Sequence, residues 1–260
     1  MIKPFSDARL GAEVIGKGKV RFTVWAPFAE AATVEIVSSP QRMVPLKALE
    51  DGYHQGVGES IEAGARYFIR LHKPGPEGKA KIERFADPAS RYQPDGVHGP
   101  SQVVDEAFPW QNRRWAGLPL SRFIIAEIHV GTFTAEGTFD AAVSELDRLK
   151  DAGFTALELM PAVQFPGSRN WGYDGVYPFA VQNTYGGPEG LKRLVDACHG
   201  KDLGVILDVV YNHLGPEGNY FRNFGPYFTD FYKTPWGEAV NFDGPESDHV
   251  RRFFIENALQ

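Results

Sequence analysis

Asp208, Asn212 and His213 fall within six consecutive positions, Asp-Val-Val-Tyr-Asn-His, at the end of the apolar run Gly204–Val210. A carboxylate, an amide and an imidazole so close together could grip a polyhydroxylated substrate, because between them they both donate and accept hydrogen bonds. Burying a carboxylate at the end of an apolar strand costs several kcal/mol unless it is paired or hydrogen-bonded, so Asp208 is expected to have a partner. Whether it touches substrate or only braces its loop stays open, since the bare spacing is a weak pattern. A second group lies upstream in QFPGSRNWGYDGVYP, where Trp171, Tyr173, Asp174 and Tyr177 stand among glycines. An exposed ring beside polar groups stacks on the flat apolar face of a pyranose; the alternative is that these rings only cap a core. His129 ends a third apolar segment, in EIHVGTF. Asp174, Asp208 and Asn212 are hard oxygen donors, but no ligand loop of regular spacing surrounds them, so no metal site is expected.

These three groups need strands to hold them. Phe123–Val130, Ala156–Met160 and Gly204–Val210 are short apolar runs that read as buried parallel strands. Between them lie segments with helical spacing. Thr138 should open one, with Phe139, Val143, Leu146 and Leu149 on its face and Gly153 at its end. Gly187-Pro188 should open the next, with Leu191, Leu194, Val195 and Cys198 as its stripe. Ser247 should cap a last helix, with Val250, Phe254 and Ala258 on one side. This β-α-β-α-β-α order fits the start of either a TIM barrel or a doubly wound sheet. No G-x-G-x-x-G or G-x-x-x-x-G-K-[ST] follows a strand, which removes support for a nucleotide, and no cofactor is expected. In both folds chemistry sits at the C-terminal ends of the strands, where all three groups are.

The N-terminal third is different. Val20, Phe22 and Val24 alternate with polar neighbours, as do Val34 and Ile36, and further short strands are expected over 52–57 and 65–71. Short alternating strands separated by turn residues read as an Ig-like β-sandwich. The expected division is 1–90 sandwich, 91–119 irregular connector and 120–260 the first three β/α units of a TIM barrel.

The chain has 260 residues and is 43% hydrophobic, enough for a real core, and its net charge of −6 argues against nucleic acid. The lone Cys198 permits no intrachain disulfide. No apolar stretch is long enough for a membrane span or a signal peptide, so a cytoplasmic location is expected.

DVVYNH after a strand, with WGYDGVYPFAVQNTYGG upstream, resembles the first signature region of the α-amylase superfamily. VRFTVWAP is similar to the β-sandwich module that precedes the barrel in glycogen branching and debranching enzymes. DPASRYQPDGVHGPSQVVD, ELMPAVQFPGSRNWGYDGVYP and YNHLGPEGNYFRNFGPYFTDFYKTPWGEAVNFDG resemble the maltooligosyltrehalose trehalohydrolase family of that superfamily. The resemblance implies retaining hydrolysis of an α-1,4 bond in maltooligosyltrehalose, with release of trehalose. It implies that His213 bonds the glucose at the cleaved subsite and Tyr173 forms its stacking platform. Asp208 and Asn212 would brace the site, and Trp171 and Asp174 belong to the same motif. The family places its nucleophile and acid/base after strands four and five of the barrel, so none is expected here and the 260 residues alone should be inactive. Glu127 and Glu158 lie within strands and are not substitutes. A branching transferase and a non-catalytic glucan-binding fragment are the competing readings.

Overall fold

A computed structural model describes residues 9–75, 80–234 and 237–260. Strands β1 (Gly11–Gly16), β2 (Lys19–Trp25), β3 (Ala31–Ile36), β4 (Arg42–Ala48), β5 (Tyr53–Glu59), β6 (Arg66–Pro74), β7 (Ala80–Phe85) and β8 (Ser101–Gln102) come first. They form one antiparallel path, β1-β2-β5-β4-β3-β6-β7, with β8 added to β6. The path is folded on itself. β2 and β6 lie four places apart along it, yet the rings of Phe22 and Tyr67 meet edge to face at 5.1 Å. In a flat sheet four steps would separate them by about 19 Å. The hinge is β4, which pairs with β3 over its length but with β5 only at Lys47 and Ala48. The expected sandwich is therefore present, with β1, β4, β7 and β8 beyond the strands the sequence predicts. β4 carries Pro45, which cannot donate to a ladder and so weakens the strand signal.

The C-terminal half begins with β9 (Ile125–Ile128), followed by α1 (Val130–Phe133), α2 (Phe139–Val143) and α3 (Leu146–Asp151). β10 (Ala156–Leu159), the hairpin β11 (Val163–Gln164) and β12 (Tyr177–Val181), and α4 (Gly187–Gly200) follow. β13 (Gly204–Leu207), the hairpin β14 (Phe228–Thr234) and β15 (Gly237–Val240), and α5 (Ser247–Leu259) complete the chain. β9, β10 and β13 form a parallel sheet in that order. Both crossovers lie on one face of it. Arg193 of α4 makes a two-pronged pair with Asp140 of α2 at 2.8 Å on each arm, and Gly190 lies against Phe139. Successive parallel strands with both helices on one face are how a barrel begins, and one half of a doubly wound sheet begins the same way. Glu127 and Glu158 stand in register on the uncovered face.

Three local expectations are corrected. The segment opened by Thr138 is two short helices rather than one, broken at Ser144–Glu145, although Thr138 Oγ1 does accept from Ala141 N at 3.2 Å. Glu246 at φ 62°, not Ser247, precedes α5, and no side chain caps it. The buried stripe of α5 is Val250, Phe253 and Phe254, while Ala258 is exposed.

Two apolar clusters organise the chain. One lies between α2, α4 and the parallel sheet, with Leu157, Leu159, Phe139, Leu194 and Cys198 at its centre. The other fills the sandwich and runs on, without a break, into Phe221, Tyr227 and the α5 residues Phe253 and Phe254. Trp25 packs on Tyr227 and stacks on His249 at 5.0 and 5.1 Å, and Tyr53 OH bonds His249 Nδ1 at 3.0 Å. No described helix is long and apolar enough to cross a membrane.

Candidate functional site

The loops after β9, β10 and β13 meet at one end of the parallel sheet. Asn170 is their hub. Its Oδ1 accepts from Gly172 N at 2.7 Å and Asp174 N at 3.4 Å, and its Nδ2 donates to Asp174 Oδ2 at 2.9 Å. This side-chain-to-backbone turn is characteristic of Asn. Gly172 sits at φ 104°, and a Cβ there would lie 2.7 Å from the Pro161 carbonyl oxygen, so only glycine serves. The reversal at Gly172 turns Trp171 and Tyr173 outward, 81% and 44% exposed.

Two histidines from the flanking loops hold this turn by its carbonyls. His129 Nε2–H donates to Asn170 O at 2.6 Å, while its Nδ1 accepts from Thr132 Oγ1 at 3.2 Å. His213 Nε2–H donates to Tyr173 O at 2.9 Å. A carbonyl only accepts, so both rings carry their proton on Nε2 when neutral. Nδ1 of His213 has no partner among the described residues and stays free to accept. Gly215 completes the clamp by donating its N–H to Gly175 O at 2.9 Å.

The result is a cavity of about 1270 Å³ lined by Trp171, Tyr173, Asp174, Asn212 and His213, together with His129 and Asn170. That exceeds the usual size of a small-molecule pocket, about 300–1000 Å³, and leaves room for several sugar rings. Asp208 is not among the lining residues. Its amide continues the ladder to Leu159 O at 3.0 Å, but its half-buried carboxylate has no partner among the described residues. The expected partner is missing because the strand end opens to solvent, so the carboxylate keeps part of its hydration. Tyr177 belongs to the core: it is 1% exposed, and its hydroxyl donates to the Val97 and Gly218 carbonyls. Asp174 is the one carboxylate lining the cavity among the described residues, and no cluster of three or more metal-ligating side chains occurs among them. Asn170 was missed in the sequence, although an Asn two positions before a Gly is a turn signal. His129 is legible at its strand end, but nothing in its neighbouring residues points to the carbonyl it holds.

The α-amylase catalytic-domain model matches residues 83–254, and that of carbohydrate-binding module 48, the isoamylase N-terminal domain, matches 9–90. The chain belongs to the α-amylase family. It is 44% identical over 238 residues to the malto-oligosyltrehalose trehalohydrolase of Saccharolobus solfataricus, covering 92% of this chain and 41% of that protein. It is 30% identical to the 1,4-α-glucan branching enzyme GlgB of Vibrio parahaemolyticus, over 92% of this chain and 34% of the enzyme. A crystal structure from Salmonella typhimurium, assigned provisionally as an α-amylase, superposes with a TM-score of 0.85 at 39% identity, over 96% of this chain and 41% of that one. The chain thus spans about two fifths of the length of the curated relatives it matches. The rings and hydrogen-bonding groups of the cavity can stack on and bond a polyhydroxylated ligand.

Proposed function

We propose that these 260 residues form the substrate-positioning part of a retaining glycosidase that hydrolyses an α-1,4 bond of maltooligosyltrehalose and releases trehalose. The observation that carries the reading is the cavity at the strand ends, with two outward rings set beside the free Nδ1 of His213. In this reading the Tyr173 ring is the platform for the glucose at the cleaved bond, and His213 Nδ1 accepts from one of its hydroxyls. Trp171 stacks on a neighbouring glucose, and Asp174 and Asn212 bond hydroxyls at the rim. Asp208 holds the strand end through its amide bond to Leu159 O, and its carboxylate, facing water, is left for a hydroxyl of the ligand. Retaining hydrolysis needs two carboxyl groups about 5–5.5 Å apart across the bond. With Asp174 alone in the cavity, no nucleophile or acid/base is assigned within these residues. The domains of this reading are 1–90 sandwich, 91–119 connector and 120–260 barrel. A cytoplasmic setting is part of it, since a single cysteine leaves no intrachain disulfide to form in an oxidising compartment.

The test is a titration of the chain with maltooligosyltrehalose and with a maltooligosaccharide of equal length, followed by Trp171 fluorescence and by trehalose assay. Saturable binding, lost in Tyr173→Ala and His213→Ala, without trehalose release is the expected result. Binding that ignores both substitutions sinks the site. Trehalose release faster than in Tyr173→Ala shows that the chain does hold its catalytic groups.

A further inference from the structure

A second cleft, of about 800 Å³, opens at the other end of the parallel sheet. Arg122 stands just before β9, and His199 and Asp202 stand where α4 returns to β13, so the cleft lies at the N-terminal ends of the strands. The loop 111–118 forms its wall. That loop is anchored by Asp196 of α4, whose carboxylate accepts from Gln111 N at 3.1 and 3.2 Å and from Asn112 N at 3.0 Å. Asn112 Nδ2 adds a bond to Asp196 O at 2.8 Å. Trp115 then stacks flat on His199, 4.8 Å between centroids and 11° between planes.

Arg113, Arg114 and Arg122 all line this cleft, and none is ion-paired to a carboxylate among the described residues. Every other arginine of the chain except Arg42 and Arg169 has such a pair. Three guanidinium groups without a carboxylate partner among the described residues line one cleft in a protein of net charge −6, and they give it a positive field. Asp202 is the only lining carboxylate among the described residues, and it faces Lys150 at 3.7 Å. The carbonyls at the end of α4, which would repel an anion, are occupied: Cys198 O accepts from Lys201 N and Leu203 N, and His199 O from Asp202 N. Guanidinium forks match phosphate oxygens in pairs. Beside them the Trp115 indole offers an apolar face, and Asn112 Oδ1 has no donor among the described residues. Phosphate-seeking cations, a ring surface and a free amide acceptor together suit a phosphorylated sugar.

We propose that this cleft binds a phosphorylated monosaccharide, at a site separate from the candidate substrate cavity and at the opposite end of the sheet. Arg113, Arg114 and Arg122 hold the phosphate, Trp115 meets the sugar ring, and Asn112 Oδ1 accepts a hydroxyl.

The probe is glucose 6-phosphate, titrated into the 260-residue chain by calorimetry at low and moderate salt, with glucose and inorganic phosphate run in parallel. Saturable binding with a dissociation constant on the order of 1 mM or below is expected at low salt, weakening as salt rises. Arg114→Ala with Arg122→Ala should weaken it at least tenfold, and Tyr173→Ala, in the other cavity, should leave it unchanged. Asp202→Asn should tighten binding, because it removes the one lining carboxylate, and Asn tolerates the left-handed backbone found there (φ 56°). That gain cannot come from misfolding. No saturable binding, binding indifferent to the arginines, or inorganic phosphate binding as tightly as the sugar phosphate would each overturn the proposal.

Discussion

Gly215→Ala should loosen the candidate substrate cavity, and the structure sets the size of the effect. A Cβ on Gly215 would lie 2.2 Å from the Asp174 carbonyl oxygen and 2.7 Å from its carbonyl carbon. Carbon and oxygen rest at about 3.3 Å or more, so the two loops must part by roughly 1 Å. The Gly215 N–H bond to Gly175 O and the His213 bond to Tyr173 O, both at 2.9 Å, span that same gap. Overpacking of this kind costs about 1–3 kcal/mol, and each strained hydrogen bond about 1 kcal/mol. A loss of about 2 kcal/mol in loop docking is expected, which is more than tenfold in the affinity of any ligand that needs the closed arrangement. Urea unfolding, hydrogen exchange at the Gly215 amide and maltooligosaccharide titration measure the three consequences. Gly16→Ala is the control, because a Cβ there meets nothing within 4 Å. If Gly215→Ala matches Gly16→Ala in stability, keeps its amide protected and binds sugar unchanged, the clamp reasoning is wrong.

Three further outcomes are expected. Burial pushes the Cys198 thiol up to about 12, so a thiol reagent at pH 8 should label the chain only as it unfolds; prompt labelling of folded protein would contradict the buried position. Burial lowers the pKa of His54 and His199 below 6.5, so the unfolded chain takes up protons that the folded chain refuses, and their contribution to stability, complete above that value, is lost as pH falls below it. The urea midpoint should drop between pH 7.5 and 5.5, and drop less in His54→Gln; identical pH slopes for the two proteins would refute this. Trp25→Ala removes a side chain that is 1% exposed and packed on both Tyr227 and His249, and should cost about 3–5 kcal/mol. Calorimetry should show the sandwich and α5 destabilised together; a transition that leaves the α5 amides as protected as before would separate the two.

What the sequence determined was local. Alternation at Val20, Phe22 and Val24, the Thr138 cap, Gly187-Pro188 at the start of α4 and the polar groups after three apolar runs each depend on a few neighbouring residues. They were enough to order the strands and to locate both the DVVYNH and the WGYD loops at strand ends. What only the tertiary structure decided depends on partners far apart in the chain. The fold of the eight-stranded sheet about β4 brings Phe22 to Tyr67, and the contact of Trp25 with His249 joins the first third of the chain to its last helix. The Asn170 turn is local, but what fixes it in place is His129, 41 positions away, bonding its carbonyl. Asp208 was expected to need a partner because it follows apolar residues, but a strand end can face water, and nothing local to Asp208 says which way the end opens. The convergence of Arg113, Arg114 and Arg122 beside His199 was equally invisible. The three arginines lie within ten positions of one another, but they border a cleft only after α4 has folded back against the loop that carries two of them.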